Sequence, residues 1–254
     1  RHGSKPHVER DATPSSRPCN ESIPTRRAKS TRTRRTTGEA TTTETSGRRS
    51  ERRIFVQRAK RRGMNTTQRS VAVGVVGVLV SFLAILTAVG TASWFSWADN
   101  ALSDLGVSAG VARPIFNYGL TATGVIALGF VPALWRTADH LAHRVAVVPF
   151  VIAMVGVAGV GLFPSDQPLH APAAITAYLA FMTTPTVYGV GDLLVGARRR
   201  GVATIASALA HLGFWVAWAT QLQATLPGLA VPEFVGSTLF NAWVCYTATR
   251  LWDR

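Results

Sequence analysis

The chain has 254 residues, with 27 Lys+Arg against 13 Asp+Glu and two cysteines, Cys19 and Cys245. Two cysteines so far apart give no disulfide framework. The positive charge does not describe the whole chain: residues 1–63 hold 18 of the basic and six of the acidic residues, and residues 64–254 hold the other nine and seven.

Residues 1–63 are rich in Arg, Thr and Ser, with almost no apolar clusters. Such a stretch cannot bury enough surface to offset its ordering entropy, so a disordered basic tail is expected. It lacks the apolar core of a secretory signal. The first methionine is Met64, directly before NTTQRSVAVGVVG. Two readings follow: a reading frame extended upstream of a true start at Met64, or a polybasic arm holding anionic lipid or nucleic acid. Clustered arginines without interleaved aromatics give no sign of base reading, so specific nucleic-acid recognition is not expected.

A helix crossing the hydrocarbon core needs about 20 mostly apolar residues. Six stretches after Met64 meet this, near 70–90, 113–135, 145–163, 173–195, 201–222 and 233–250. The first, SVAVGVVGVLVSFLAILTAVG, has no charge and no polar face, which excludes an ordinary surface helix. Alternating ten-residue segments of a membrane barrel are absent. The expected fold class is therefore an all-α integral membrane protein, a six-transmembrane-helix bundle over residues 64–254.

Basic residues orient such a bundle. Arg69 precedes the first stretch, Arg136 and Arg144 flank the second connection, Arg198, Arg199 and Arg200 fill the fourth, and Arg250 and Arg254 follow the sixth stretch. The connections 91–112, 164–172 and 223–232 contain no Lys or Arg, and Arg113 stands only at the edge of the second span. Both termini are thus expected on the cytoplasmic side of the cell membrane. Trp94, Phe95 and Trp97 fall at the outer headgroup level, and Trp135 and Trp252 at the inner.

The outer connections carry the polar candidates: Asp99, Asn100, Ser103 and Asp104 in WFSWADNALSDLG, Asp166 and His170 in FPSDQPLHAP, and Glu233 at the head of the sixth span. Asn100 and Asp104 are four apart, as are Asp99 and Ser103, so each pair shares a face of a short interfacial helix. Capping of free backbone N–H groups is the plain alternative role, and Gly106 suggests the stop. An acid–imidazole network around His170 would tie the outer loops together. A proton-coupled or ligand-contacting role is the other reading. No cofactor is expected; zinc would need His170 with Asp104, Asp166 and Glu233, and no HExxH or CxxC is present.

Inside the spans, His211 lies near the middle of the fifth. With Thr204, Ser207, Trp218 and Gln221 it forms a polar stripe expected to face the bundle. A neutral histidine bonded to a neighbouring helix is one reading, and a buried pocket or pathway the other. As the only central histidine it makes a poor haem ligand. Asp192, at the inner end of the fourth span, is expected to pair with the arginines that follow it. Pro185 should kink that span, and Ala203, Ser207, Ala206 and Ala210 give small-xxx-small pairs for close helix approach. His140 and His143 read as solvated loop residues.

The pattern D-N-x-L-S-D-L-G after the first span, F-P-x-D-x-x-x-H after the third and P-E opening the sixth resembles the prokaryotic membrane family called domain of unknown function 998, over roughly residues 70 to 250. The resemblance implies six spans and assigns the family pattern to Asn100, Ser103, Asp104, Leu105, Gly106, Pro164, His170 and Glu233. It supplies no activity.

Two functions follow. One is a non-enzymatic bundle, transporter-like, lipid-binding or sensory, with a polar outer vestibule and a continuous route from Asp104 and Glu233 down to His211 and Asp192. The other is an integral-membrane lipid hydrolase. It would use either a metal-activated water on His170 and the acids, or Ser103 as nucleophile within hydrogen-bond reach of His170. The expected partners are the bilayer and a small-molecule or lipid ligand. The oligomeric state does not follow from the sequence.

Overall fold

A computed structural model describes residues 63–254. The basic tail with its two readings, and Cys19, lie outside the described residues. Within them the chain is all helix and turn, without strands.

The first helix, α1 (Thr66–Thr91), starts at a capping box. Asn65 Oδ1 accepts from Gln68 N at 2.7 Å, and Gln68 Oε1 accepts from Asn65 N at 3.0 Å. A five-residue 3₁₀ turn, Leu102–Gly106, follows in the first connection. Next come α2 (Ala112–Arg136), α3 (Leu141–Leu162), α4 (His170–Leu194), α5 (Arg198–Leu222) and α6 (Ala230–Leu251). Each expected stretch thus has one helix, its ends within four residues of the expected ones. Helix α2 tightens to 3₁₀ geometry over Leu128–Phe130, and α5 ends in a π-helical turn over Trp218–Leu222. Helix α4 runs continuously through Pro185.

Four helices, α1, α2, α3 and α5, are long and apolar enough to cross a membrane. Helices α4 and α6 are as long but more polar. Thr176, Thr183, Thr184 and Thr186 lie in α4, and Ser237, Thr238 and Asn241 in α6. Part of this polarity is turned inward: Thr184 and Asn241 are buried. The exterior is apolar instead, with Leu79, Leu83 (65% exposed), Val125, Ile175, Leu179 and Leu209 facing outward. Aliphatic side chains outside and threonine or amide inside is the arrangement expected where lipid, not water, surrounds the helices.

Successive helices pack side by side, α1 on α2, α2 on α3, α3 on α4 and α4 on α5, and α6 closes against α1, α4 and α5. Close approach needs residues without Cβ: one built on Gly124 would strike the Met154 carbonyl, and one on Gly161 the Asn117 carbonyl. The core is aromatic. Phe181 stacks on Phe240 with centroids 4.3 Å apart, and Phe150, Tyr188 and Trp243 pack around them.

The two ends of the bundle differ in charge. Gln68 Nε2 donates to the Trp252 carbonyl at 3.3 Å, so the start of α1 and the end of α6 share one end. Arg254 reaches Asp139 in the α2–α3 connection at 2.6 Å, which places that connection there too. The opposite end gathers the 3₁₀ turn, the α3–α4 connection and the start of α6.

Several expectations are corrected here. His143 is not solvated; α3 begins at Leu141, which carries that ring into the bundle against Tyr188, leaving it 2% exposed. His140 does lie at the surface, where Nδ1 accepts from Ala142 N at 3.1 Å and caps α3. The small residues Ala203, Ala206 and Ala210 lie on the exposed side of α5. Its buried side is Gly201, Thr204, Ala208 and His211, a stripe set by the neighbouring α4 and α6.

Candidate functional site

The acidic end is built by backbone donors that need acceptors. The 3₁₀ turn begins with N–H groups unpaired by the turn itself. Asp104 Oδ2 folds back to accept from Ala101 N at 2.9 Å and from Asn100 Nδ2 at 3.3 Å. Asn100 Oδ1 accepts from Ser96 N at 2.9 Å, and Asp99 accepts from Ser96 Oγ at 2.6 Å. Asn100 and Asp104 therefore do pair, but across the start of the 3₁₀ turn and not on a shared helix face, and Asp99 and Ser103 do not pair. The connection is also sewn to the one before α6. Gly228 N donates to the Ala98 carbonyl at 2.7 Å, and Ala230 N to the Asn100 carbonyl at 2.8 Å. Aromatic rings roof the seam: Trp97 packs edge-on against both Phe95 and Phe234.

Glu233 sits in the first turn of α6, 8% exposed. Its Oε2 accepts from Leu102 N at 2.7 Å, a contact spanning 131 residues that caps the 3₁₀ turn from another helix. Its Oε1 has no hydrogen-bond partner among the described residues, and no Lys, Arg or His lies within ion-pair distance of the carboxylate. Tyr178 of α4 donates its hydroxyl to the Glu233 carbonyl at 3.2 Å and steadies the same turn.

His170 opens α4. Its Nδ1 lies 2.7 Å from the Phe163 carbonyl. A carbonyl only accepts, so Nδ1 carries the proton and Nε2 is the free ring nitrogen. No hydrogen bond or ion pair joins His170 to Asp104, Asp166 or Glu233, so the expected acid–imidazole network is not formed. The loops are tied by backbone groups instead, including Ser165 Oγ to the Ser103 carbonyl at 3.4 Å. Asp166 is exposed. Among the described residues no three His, Cys, Asp or Glu gather as a metal site would require. No hydrogen bond joins Ser103 to His170 either.

What Ser103, His170 and Glu233 do share is a cavity of about 80 Å³. It is lined from α1 (Gly74 to Ile85), α2 (Phe116 to Ala127), α3 (Phe150 to Val160), α4 (His170 to Phe181) and α6 (Glu233 to Val244). On four of those helices the lining spans twelve residues, and on α3 eleven, or about 16 Å at the helical rise. The cavity is therefore long and narrow, running from the acidic end down the bundle axis. Its mouth is polar. Its far half is mostly apolar, with Phe150, Phe240, Val244, Val78 and Ala127, and also holds Thr123 and Asn241. Asn241 Nδ2 reaches Ser81 Oγ at 3.5 Å, linking α6 to α1 within the lining. Asp99, Asn100, Asp104 and Asp166 do not line it.

The intramembrane candidates lie elsewhere. His211 is buried on the far side of Phe240, in a small separate hollow with Pro185 and Ser207. Its Nε2 accepts from Trp215 Nε1 at 3.1 Å, a partner on its own helix and not on a neighbour. Asp192 is at the basic end, 1% exposed. Arg250 of α6 grips both its oxygens, at 2.9 and 3.0 Å, and His143 stands at 3.6 Å. Of the arginines that follow it in sequence, Arg200 approaches to 4.0 Å. Among the described residues Phe181 and Phe240 stand between this cavity and the His211 hollow, so no continuous polar route from Asp104 and Glu233 to His211 and Asp192, which would mark a pathway, is seen there.

Sequence reasoning missed Ser81, Asn241 and Tyr178. An amide in the middle of a span is itself a signal, since such a group must find a partner or a cavity. No curated protein and no solved structure matches the chain. A family does, over residues 75–250, which takes in most of the cavity lining: the chain belongs to the family described as Protein of unknown function (DUF998).

Proposed function

We propose that this is a multi-pass protein of a prokaryotic cytoplasmic membrane, with six spans and both termini inside, whose bundle binds one aliphatic chain of a lipid. The sidedness rests on the basic residues gathered at one end and on connections without Lys or Arg at the other. Helices α4 and α6 count as spans because their polar groups are partly turned into the bundle. The function is binding, and no catalytic step is assigned.

One observation carries this reading: a narrow cavity, about 16 Å long by helical rise, with Ser103, His170 and Glu233 at one end and a mostly apolar lining below. Such a slot excludes folded or branched solutes and matches an extended hydrocarbon chain with its polar end outward. The part-exposed Ser103 and His170 at the mouth leave a way in from the outer leaflet.

The test is retention of lipid. Protein washed free of bulk lipid in detergent should keep about one chain per molecule by native mass spectrometry. Val244→Phe, which fills the cavity floor, should shorten the longest chain retained. A lipid content equal to that of the bulk membrane, unchanged by Val244→Phe, would overturn the proposal. The topology is tested separately: an impermeant thiol reagent should label Asp99→Cys in intact cells, and Asp139→Cys only after lysis.

A further inference from the structure

The chemistry of the mouth restricts which chain can enter. Three groups meet there: the unpartnered Oε1 of Glu233, the hydroxyl of Ser103, and the ring of His170 with Nδ1 already committed to the Phe163 carbonyl. Glu233 is more than nine-tenths buried and lines the cavity, so a donor head group entering there competes only with cavity water for its free oxygen. No Lys or Arg lines the cavity. Arg113, the basic residue at this end of the bundle, is exposed and outside the lining. An anionic head group would therefore meet a carboxylate with no Lys or Arg to compensate it, whereas a donor head group would complete the acceptor that Glu233 leaves open at the mouth.

Resting on the chain-binding reading above, we infer that the cavity selects single-chain amphiphiles whose head is a hydrogen-bond donor, an amine or a hydroxyl, and discriminates against carboxylate and phosphate heads, with Glu233 Oε1 as the reader. Ser103 serves either kind of head, because a hydroxyl both donates and accepts. The selectivity therefore rests on Glu233. Asn241 and Ser81 lie eight residues further along α6 and opposite on α1, about 12 Å below the head at the helical rise. They stand beside the chain and do not contact the head.

The experiment compares dodecylamine, dodecanol, dodecanoate and dodecyl phosphate, each at equal concentration with detergent-purified protein. Occupancy is read by native mass spectrometry. The amine and the alcohol should exceed the two anions by about tenfold, the worth of one hydrogen bond to a charged group. Glu233→Gln is the decisive variant. Its amide oxygen can keep the bond to Leu102 N, while its NH₂ turns the free acceptor into a donor. The preference for amine and alcohol should disappear or invert, with thermal stability nearly unchanged. Equal binding of all four heads, or a preference that survives Glu233→Gln, overturns this inference and leaves chain binding standing. Failure of every dodecyl probe overturns the chain-binding reading and this one with it. Butylamine binding as well as dodecylamine would overturn the amphiphile in favour of a free small amine.

Discussion

Two buried acids, one at each end of the bundle, have opposite surroundings. Asp192 at the basic end has both oxygens held by the Arg250 guanidinium, with His143 and Arg200 close by. Glu233 at the acidic end has one oxygen bonded to a backbone N–H, the other bonded to nothing, and no cation near it. A carboxylate whose acceptor sites are filled by the fold is part of the scaffold. One left half-filled at a cavity mouth is available to something that comes and goes. This contrast, more than the number of acids at either end, separates structure from candidate function in this molecule.

The largest expected effect breaks the scaffold side of the contrast. Asp192→Ala leaves the Arg250 charge inside the bundle without its partner, and breaking such a buried pair costs about 3–5 kcal/mol. Arg250→Met alone should cost a similar amount, whereas Asp192→Asn with Arg250→Met should recover much of the loss. Thermal unfolding in detergent, followed by size-exclusion chromatography, measures all of these. If Asp192→Ala were as stable as the parent, the basic end would not be the structural end.

On the other side, Glu233→Ala removes the acceptor of Leu102 N and leaves that buried donor unpaired, a loss of about 1–3 kcal/mol. Glu233→Gln should restore most of it, because the cap needs an oxygen and not a charge. The same measurement on the pair sharpens the comparison. If Gln were as damaging as Ala, the charge itself would hold the fold, and Glu233 would resemble Asp192 after all.

Between the ends, His211 tests whether an intramembrane histidine must mark a pathway. A Cβ on Gly236 would collide with His211 Nε2. Gly236→Ala should therefore overpack α5 against α6 and cost about 1–3 kcal/mol. His211→Ala makes the missing room but removes the acceptor of Trp215 Nε1. The two changes together should cost less than their sum, a coupling readable as a double-mutant cycle on thermal stability. Simple additivity would mean that the ring does not pack against Gly236.

How far this contrast was legible in the sequence depends on the distance over which each partner is chosen. The helices were legible because apolar length is a local property: each run of about 20 residues declares itself. The Asn100–Asp104 pair was legible for the same reason, being only four residues apart in the chain. Asp192 was paired with its sequence neighbours, Arg198 to Arg200, and Arg200 does come within 4.0 Å, but the cation that grips both its oxygens was not foreseen. Arg250 lies 58 residues on and arrives only when α6 closes the bundle. His143 was misplaced because one extra turn of α3 decides whether it is inside. Glu233 was flagged, but its partner Leu102 is a backbone N–H, and such groups are identical at every position in a sequence.

The smallest expected effect concerns Asp99, the acid that first draws the eye in WFSWADN. It is exposed, and its one bond is to Ser96 Oγ within its own turn. It neither lines the cavity nor crosses to another helix. Asp99→Asn keeps an acceptor for Ser96 and should change stability by no more than about 0.5 kcal/mol. Dodecylamine occupancy should not change, since the charge is solvated and screened from the mouth. A loss of occupancy comparable with that of Glu233→Gln would show that the head group is read by the field of the whole acidic end and not by one unpartnered oxygen. The division between a filled and a half-filled acid would then be the wrong way to tell the two ends apart.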